Sequence, residues 1–132
     1  MRSGSALAAR RARGFTLIEL LVVLSIMALL LAIAAPRYFG SISKAKEAAL
    51  HSNLRLLRDA IDRFDSDRNR YPETLQQLVD LHYLRNIPVD SMTDSAATWT
   101  TTPPPDGSAA GVYDVHSGAA GSAGDGTPYA SW

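Results

Sequence analysis

Gly14-Phe15-Thr16-Leu17-Ile18-Glu19-Leu20-Leu21-Val22-Val23-Leu24-Ser25-Ile26-Met27-Ala28-Leu29-Leu30-Leu31-Ala32-Ile33-Ala34-Ala35-Pro36 decides how the rest of this chain is read. From Phe15 to Ala35 only Thr16, Glu19 and Ser25 are polar. A helix rises about 1.5 Å per residue, so this run covers roughly 30 Å, the thickness of a bilayer's hydrocarbon core. Arg2, Arg10, Arg11 and Arg13 precede it with no acid among them, which sets the N-terminus on the cytoplasmic side and the body across the membrane. Ser25 bonds back to a helix carbonyl and needs no other role. Glu19 is the anomaly. A charge inside the bilayer costs about 2.5–3.5 kcal/mol on insertion scales, so such an acid has a partner and a function.

Two plain readings of the stretch are a secretory signal and a simple anchor. Ala32-Ile33-Ala34 has the form of an A-x-A cleavage site, but the apolar run exceeds the roughly 7–15 residues of a signal core. An anchor explains length and orientation and leaves Glu19 unexplained.

The remaining 96 residues follow Pro36 and hold one small domain. After Arg13 the chain carries nine basic and thirteen acidic residues, and a mildly acidic body argues against a nucleic-acid partner. Cysteine is absent, so neither a disulfide nor a thiolate metal site is available.

Pro36 is expected to loosen the helix without ending it, because helical spacing resumes beyond it. Tyr38, Ile42, Ala45, Ala49, Leu54, Leu57, Ile61 and Phe64 form an apolar stripe, with charged residues such as Lys44, Arg55, Arg58 and Asp62 on the remaining surface. Residues 15–67 thus read as one helix of roughly 80 Å, apolar all round and then amphipathic. Asp65 to Pro72 breaks it as a solvated helix end. A short helix over residues 73–81 follows, with Pro72 in its first turn and Leu75, Leu78 and Leu81 inward. Thr98-Trp99-Thr100-Thr101 and Gly111 to His116 are the strand candidates, separated by the turn Pro103-Pro104-Pro105-Asp106-Gly107. Trp99 and Tyr113 are expected in the core. Residues 117–126 are rich in Gly, Ala and Ser and read alone as a flexible tail. The fold class is therefore α+β, a long N-terminal helix with a small C-terminal antiparallel sheet and a loop.

His51, His82 and His116 lack metal-ligand spacing, with His51 expected on the helix surface. Asp114, His116 and Ser117 are a chance grouping, since a triad needs convergence in space. Neither a phosphate-binding glycine loop nor a pair of catalytic carboxylates is present, and the chain reads as no enzyme.

Gly14-Phe15-Thr16-Leu17-Ile18-Glu19 behind a basic leader resembles the processing site of type IV pilins and type II secretion pseudopilins. Arg70-Tyr71-Pro72 and Ile87-Pro88-Val89-Asp90 make the chain most similar to the major pseudopilin of that family. The resemblance implies a basic leader at 1–14, a transmembrane and filament-core helix at 15–35, and a periplasmic globular domain at 36–132 that includes the amphipathic half of the helix. It implies cleavage by a prepilin peptidase between Gly14 and Phe15, N-methylation of Phe15, and Glu19 as the assembly residue. Glu19 then lies about 6 Å along the helix from the new amine. A pair within one subunit and a pair with a neighbour's amine both remain open geometrically; the family implies the second.

The function so implied is that of a structural subunit. The chain would sit in the bacterial inner membrane and then polymerise into a periplasmic pseudopilus that helps export folded proteins across the outer membrane. Its partners would be copies of itself, the assembly platform of the inner membrane and minor pseudopilins. A type IV pilin for adhesion, motility or DNA uptake is the alternative within the class, and an exported binding domain with a conventional signal the alternative outside it. In major pseudopilins the loop between a "YD" strand and a terminal tryptophan binds calcium. Tyr113-Asp114, Ser117-Gly118, Asp125-Gly126 and Trp132 resemble that frame, but Asp125 is the one acid left in the loop. Calcium takes six to eight oxygens, so Asp125 would anchor a weak site at most.

Overall fold

The structure is a computed structural model that describes Gly4, residues 13–107 and residues 110–132. Most of the expected leader, with Arg2, Arg10 and Arg11, lies outside the described residues. The elements are helix α1 (Leu17–Arg68), helix α2 (Leu75–Asp80), strand β1 (Thr100–Thr102), strand β2 (Asp114–His116) and a final 3-10 turn (Tyr129–Ser131). The expected α+β class is what the chain adopts. Two compact units divide it, Met1–Phe39 and Gly40–Trp132.

In the first unit α1 runs through Pro36, as its flanking spacing required. The large apolar side chains from Leu17 to Ile33 are each more than half exposed, on every face of the helix. Among the described residues, α1 alone is long and apolar enough to cross a membrane.

In the second unit the core forms on one face of α1. Leu50, Leu54, Leu57, Ile61 and Phe64 recur at spacings of four, three, four and three, with Ala60 beside them, and all are buried. Leu78, Leu84, Trp99, Val112 and Val115 close over them. Each such large side chain contributes about 1.5–3 kcal/mol on burial, so this ridge is what holds the head together. The stripe expected from the sequence needs correction at its start. Tyr38, Ala45 and Ala49 are exposed and Ile42 is only partly covered. The head covers α1 from Leu50 onward, and choosing Ala49 over Leu50 put the stripe one residue out of phase.

Asn69, left-handed at φ 56°, ends α1, and its N–H donates to Asp65 O at 2.7 Å. Helix α2 starts later than expected. Thr74 is its N-cap, accepting from Gln77 N, so Pro72 lies outside the helix and is buried instead. Its C-terminus is a Schellman motif: Tyr83 N donates to Leu78 O at 2.8 Å and His82 N to Val79 O at 3.1 Å. His82 occupies the left-handed position at φ 64°, where glycine is the favoured residue. His82→Gly is therefore expected to stabilise the head by about 1 kcal/mol. Thermal unfolding of the full chain in detergent should show a rise of about 4–8 °C.

Strands β1 and β2 pair antiparallel, with Thr100 opposite His116, Thr101 opposite Val115 and Thr102 opposite Asp114. Trp99 is buried as expected, and its indole N–H donates to Pro88 O at 2.8 Å. Tyr113 is not in the core. It stays 43% exposed and meets Tyr71 edge-on at 5.2 Å. The chain bends before β2, so Val112 and Val115 both face inward and strict alternation fails between them.

Past β2 the chain crosses very close to Thr98. A Cβ on Gly118 would stand 1.9 Å from Thr98 O, a distance no side chain tolerates. Next to it Asp90 is fully buried. Its Oδ2 accepts from Ser117 Oγ at 2.6 Å and its Oδ1 from Met92 N at 2.9 Å. Ser117 is thereby committed to a structural bond.

Candidate functional site

Two places carry the residues singled out in the sequence: the head of α1 and the loop after β2.

Arg13 to Thr16 are exposed and non-helical, so the Gly14–Phe15 bond lies just outside the first helical turn. Thr16 is the N-cap of α1. Its Oγ1 accepts from Glu19 N at 3.2 Å, and Glu19 Oε2 accepts from Thr16 N at 3.4 Å. This is a capping box, in which two otherwise orphaned helix donors are satisfied reciprocally. Glu19 thus has a partner inside its own turn, and its negative charge favours the positive end of the helix dipole. Its sequence signature is Thr16-x-x-Glu19, a polar residue followed three positions on by an acid. Ser25 Oγ donates to Leu21 O at 2.7 Å, the local back-bond expected of it.

The second site is built around Arg58. Expected on the outer surface of α1, it is instead half-covered by β2 and the chain end. Its Nε donates to Asp114 Oδ1 at 2.9 Å, and its Nη2 donates to Val115 O at 2.9 Å and Trp132 O at 2.8 Å. His116 lies alongside, with Nδ1 2.6 Å from Trp132 O and Nε2 3.5 Å from Asp114 Oδ2. Asp114 and His116 thus converge, but Ser117 turns away toward Asp90. Sequence spacing could not have marked Arg58, since its three acceptors lie 56 to 74 residues away.

The Trp132 ring stacks on His51 at 3.9 Å with planes 8° apart. His51 stays exposed on the helix surface, as expected, with one ring face covered by the indole. Tyr129 meets Trp132 edge-on at 5.2 Å, and its hydroxyl donates to Glu47 at 3.0 Å. Loss of water, followed by the Glu47 contact, raises the Tyr129 phenol above its ordinary pKa.

Asp125 sits in a tight turn. Its Oδ1 accepts from Thr127 Oγ1 at 2.6 Å and Thr127 N at 3.0 Å. Those bonds, the hydroxyl's first, hold its carboxyl below the ordinary aspartate value. A lowered carboxyl contributes to stability above its unfolded pKa, and the contribution is lost as pH falls through the folded one. The turn therefore persists into acid where a free aspartate would already be protonated.

Calcium can be tested against this donor set. Asp114 is taken by a guanidinium and Asp125 by Thr127. Among the described residues no three acidic or histidine side chains gather as a metal-binding group. Those side chains fall short of the carboxylate-rich shell of six to eight oxygens that holds calcium tightly.

With that geometry in hand, the chain can be compared with known proteins. The pattern described as the prokaryotic N-terminal methylation motif matches residues 9–35. The type II secretion system core protein G of Aeromonas hydrophila is 39% identical over 69 residues, covering 52% of this chain and 48% of that protein. The type IV major pilin protein PilA of Myxococcus xanthus is 37% identical over 68 residues, 52% of this chain and 31% of that one. The chain thus spans about half the length of the Aeromonas hydrophila relative, or 48%. Its match to the core protein G of Pseudomonas aeruginosa reaches further, at 30% identity over 97 residues, 61% of this chain and 68% of that protein. No solved structure matches the chain significantly. The methylation motif at the head of α1 and the long match to the Pseudomonas aeruginosa protein agree, and the chain belongs to the family of the type II secretion system core protein G.

Proposed function

We propose that this chain is the structural subunit of a type II secretion pseudopilus. It enters the inner membrane as a precursor, with its C-terminal domain in the periplasm. A prepilin peptidase cuts between Gly14 and Phe15, and Phe15 is N-methylated. The assembly platform and minor pseudopilins then draw it into a filament of its own copies, whose growth helps move folded proteins across the outer membrane. The subunit itself performs no reaction.

One observation carries this reading: a helix headed by Gly14, Phe15 and Glu19 leaves its apolar side chains exposed on every face. A single partner covers one face; lipid, and then a bundle of like helices, covers all of them. The exposed, non-helical bond ahead of Thr16 supports access by a peptidase. Cleavage leaves Thr16 N and Glu19 in place, so the capping box survives processing and keeps the carboxylate oriented in the turn that carries the new amine. That carboxylate is then available to a neighbour's amine as the axial step is set.

The similarity to a major pilin favours one second reading, a type IV pilus subunit. Intact mass of the exported protein tests what the two share. A species beginning at methylated Phe15 is expected, and one beginning at Ala35 would return the chain to a conventional signal. Deletion of the gene separates the two: loss of exoprotein release with surface pili intact supports secretion, and the reverse supports the pilus.

A further inference from the structure

We propose that the loop of residues 117–132 is closed by the Arg58 guanidinium, acting as an internal cation, and requires no bound divalent ion. A loop of Gly, Ala and Ser has little apolar surface to bury, so something must collect its oxygens and pin them to the helix. Arg58 does this from α1. It takes a side-chain oxygen from Asp114, a main-chain oxygen from Val115 and another from Trp132, all within 2.9 Å. Those acceptors lie on either side of the loop. A cation holding both ends is what a metal would supply here. The guanidinium supplies it in a fixed planar fork, always charged and weakly hydrated.

The rest of the loop is fastened without calling on a metal either. Glu47, His51 and Arg58 are four and seven residues apart, so one face of α1 meets the loop three times. Glu47 accepts from Tyr129, and His51 stacks on Trp132. Trp132 Nε1 donates to Thr127 Oγ1 at 3.1 Å, and Thr127 donates in turn to Asp125. The four carboxylates that touch the loop or its base, Glu47, Asp90, Asp114 and Asp125, each already accept a hydrogen bond. A divalent ion on Asp114 would have to share it with a positive charge 2.9 Å away. The inference concerns the head alone and stands whether or not the chain polymerises.

The test is thermal unfolding of the full chain in detergent with millimolar calcium chloride or with EGTA. The two midpoints are expected to agree within about 2 °C. A site filled at a hundredfold its dissociation constant would instead separate them by about 10 °C or more, and any separation above about 2 °C overturns the proposal. Arg58→Gln supplies the second arm. It is expected to lower the midpoint by about 5–10 °C and to speed amide exchange across residues 117–132 at least about tenfold, with neither effect reversed by calcium. Wild-type protection in Arg58→Gln, or its restoration by calcium, would also overturn the proposal. Should that variant fail to fold, the wild-type comparison decides alone.

Discussion

Gly118→Ala is expected to remove about 3–4 kcal/mol of the stability of the head. The new Cβ would stand 1.9 Å from Thr98 O and 3.0 Å from Thr98 C, both backbone atoms. Relief requires the chain at Thr98 or at Gly118 to move by more than 1 Å, an overlap of that order being far outside ordinary van der Waals contact. Neither side is free to move. Thr98 precedes Trp99, whose indole is tied to Pro88, and Gly118 follows Ser117, which is tied to buried Asp90. Overpacking costs about 1–3 kcal/mol where side chains can yield, and more where backbone must. A cost of about 3–4 kcal/mol against a total of about 5–14 for a domain of this size would lower the melting midpoint by about 15–25 °C. Gly124→Ala is the control, because a Cβ there meets nothing within 4 Å. Its midpoint should stay level or rise slightly. Equal melting of the two variants would mean that the close approach to Thr98 does not exist in solution.

The second large effect is on assembly, and it separates two roles of Glu19. Glu19→Ala removes both the charge and the capping contact with Thr16. Glu19→Gln keeps a capping group of the same length and removes the charge alone. If Glu19 answers a neighbour's amine, both variants should be cleaved normally and both should fail to form filaments. An amine left unpaired in the filament core costs about 2.5–3.5 kcal/mol, which is about a hundredfold in the assembly equilibrium. If the helix cap were the whole role, Gln would assemble as well as Glu, and Thr16→Ala would be as damaging as Glu19→Ala. The measurement is filament yield by microscopy beside precursor processing by mass. Normal filaments from Glu19→Gln would refute the charge role.

Local pattern carried the sequence reading a long way. Phe15 to Ala35 is apolar except at Thr16, Glu19 and Ser25, so the apolar first half of helix α1 was legible from composition alone. Leu54, Leu57, Ile61 and Phe64 were legible because a helix repeats its face every three or four residues. The Pro103–Gly107 turn and the two strands around it followed from turn chemistry, with ends shifted by one to three residues. Contacts between segments far apart in sequence were not legible. Arg58 looks like any solvated arginine until β2 and Trp132 are folded onto it. Tyr113 was expected in the sheet core as a large aromatic, and a bend before β2 turned it out. Ala49 and Leu50 differ by one step, and only the position of the head's edge chooses between them. Glu19 shows both cases. Its short-range bond to Thr16 is written in the sequence as Thr16-x-x-Glu19, whereas a long-range partner for its charge is not.

The hairpin has a consequence for crowding. A two-strand sheet leaves a free edge on each strand, and a free edge invites another chain to add a strand. In β1 that edge is only three residues long. It runs directly into Pro103, Pro104 and Pro105, which have no N–H to offer. A neighbour trying to zip along β1 would find its ladder cut off after Thr102. If the chain packs against identical copies as proposed, three prolines at the end of a strand act as a guard against gelation and leave the helix as the surface through which the copies meet.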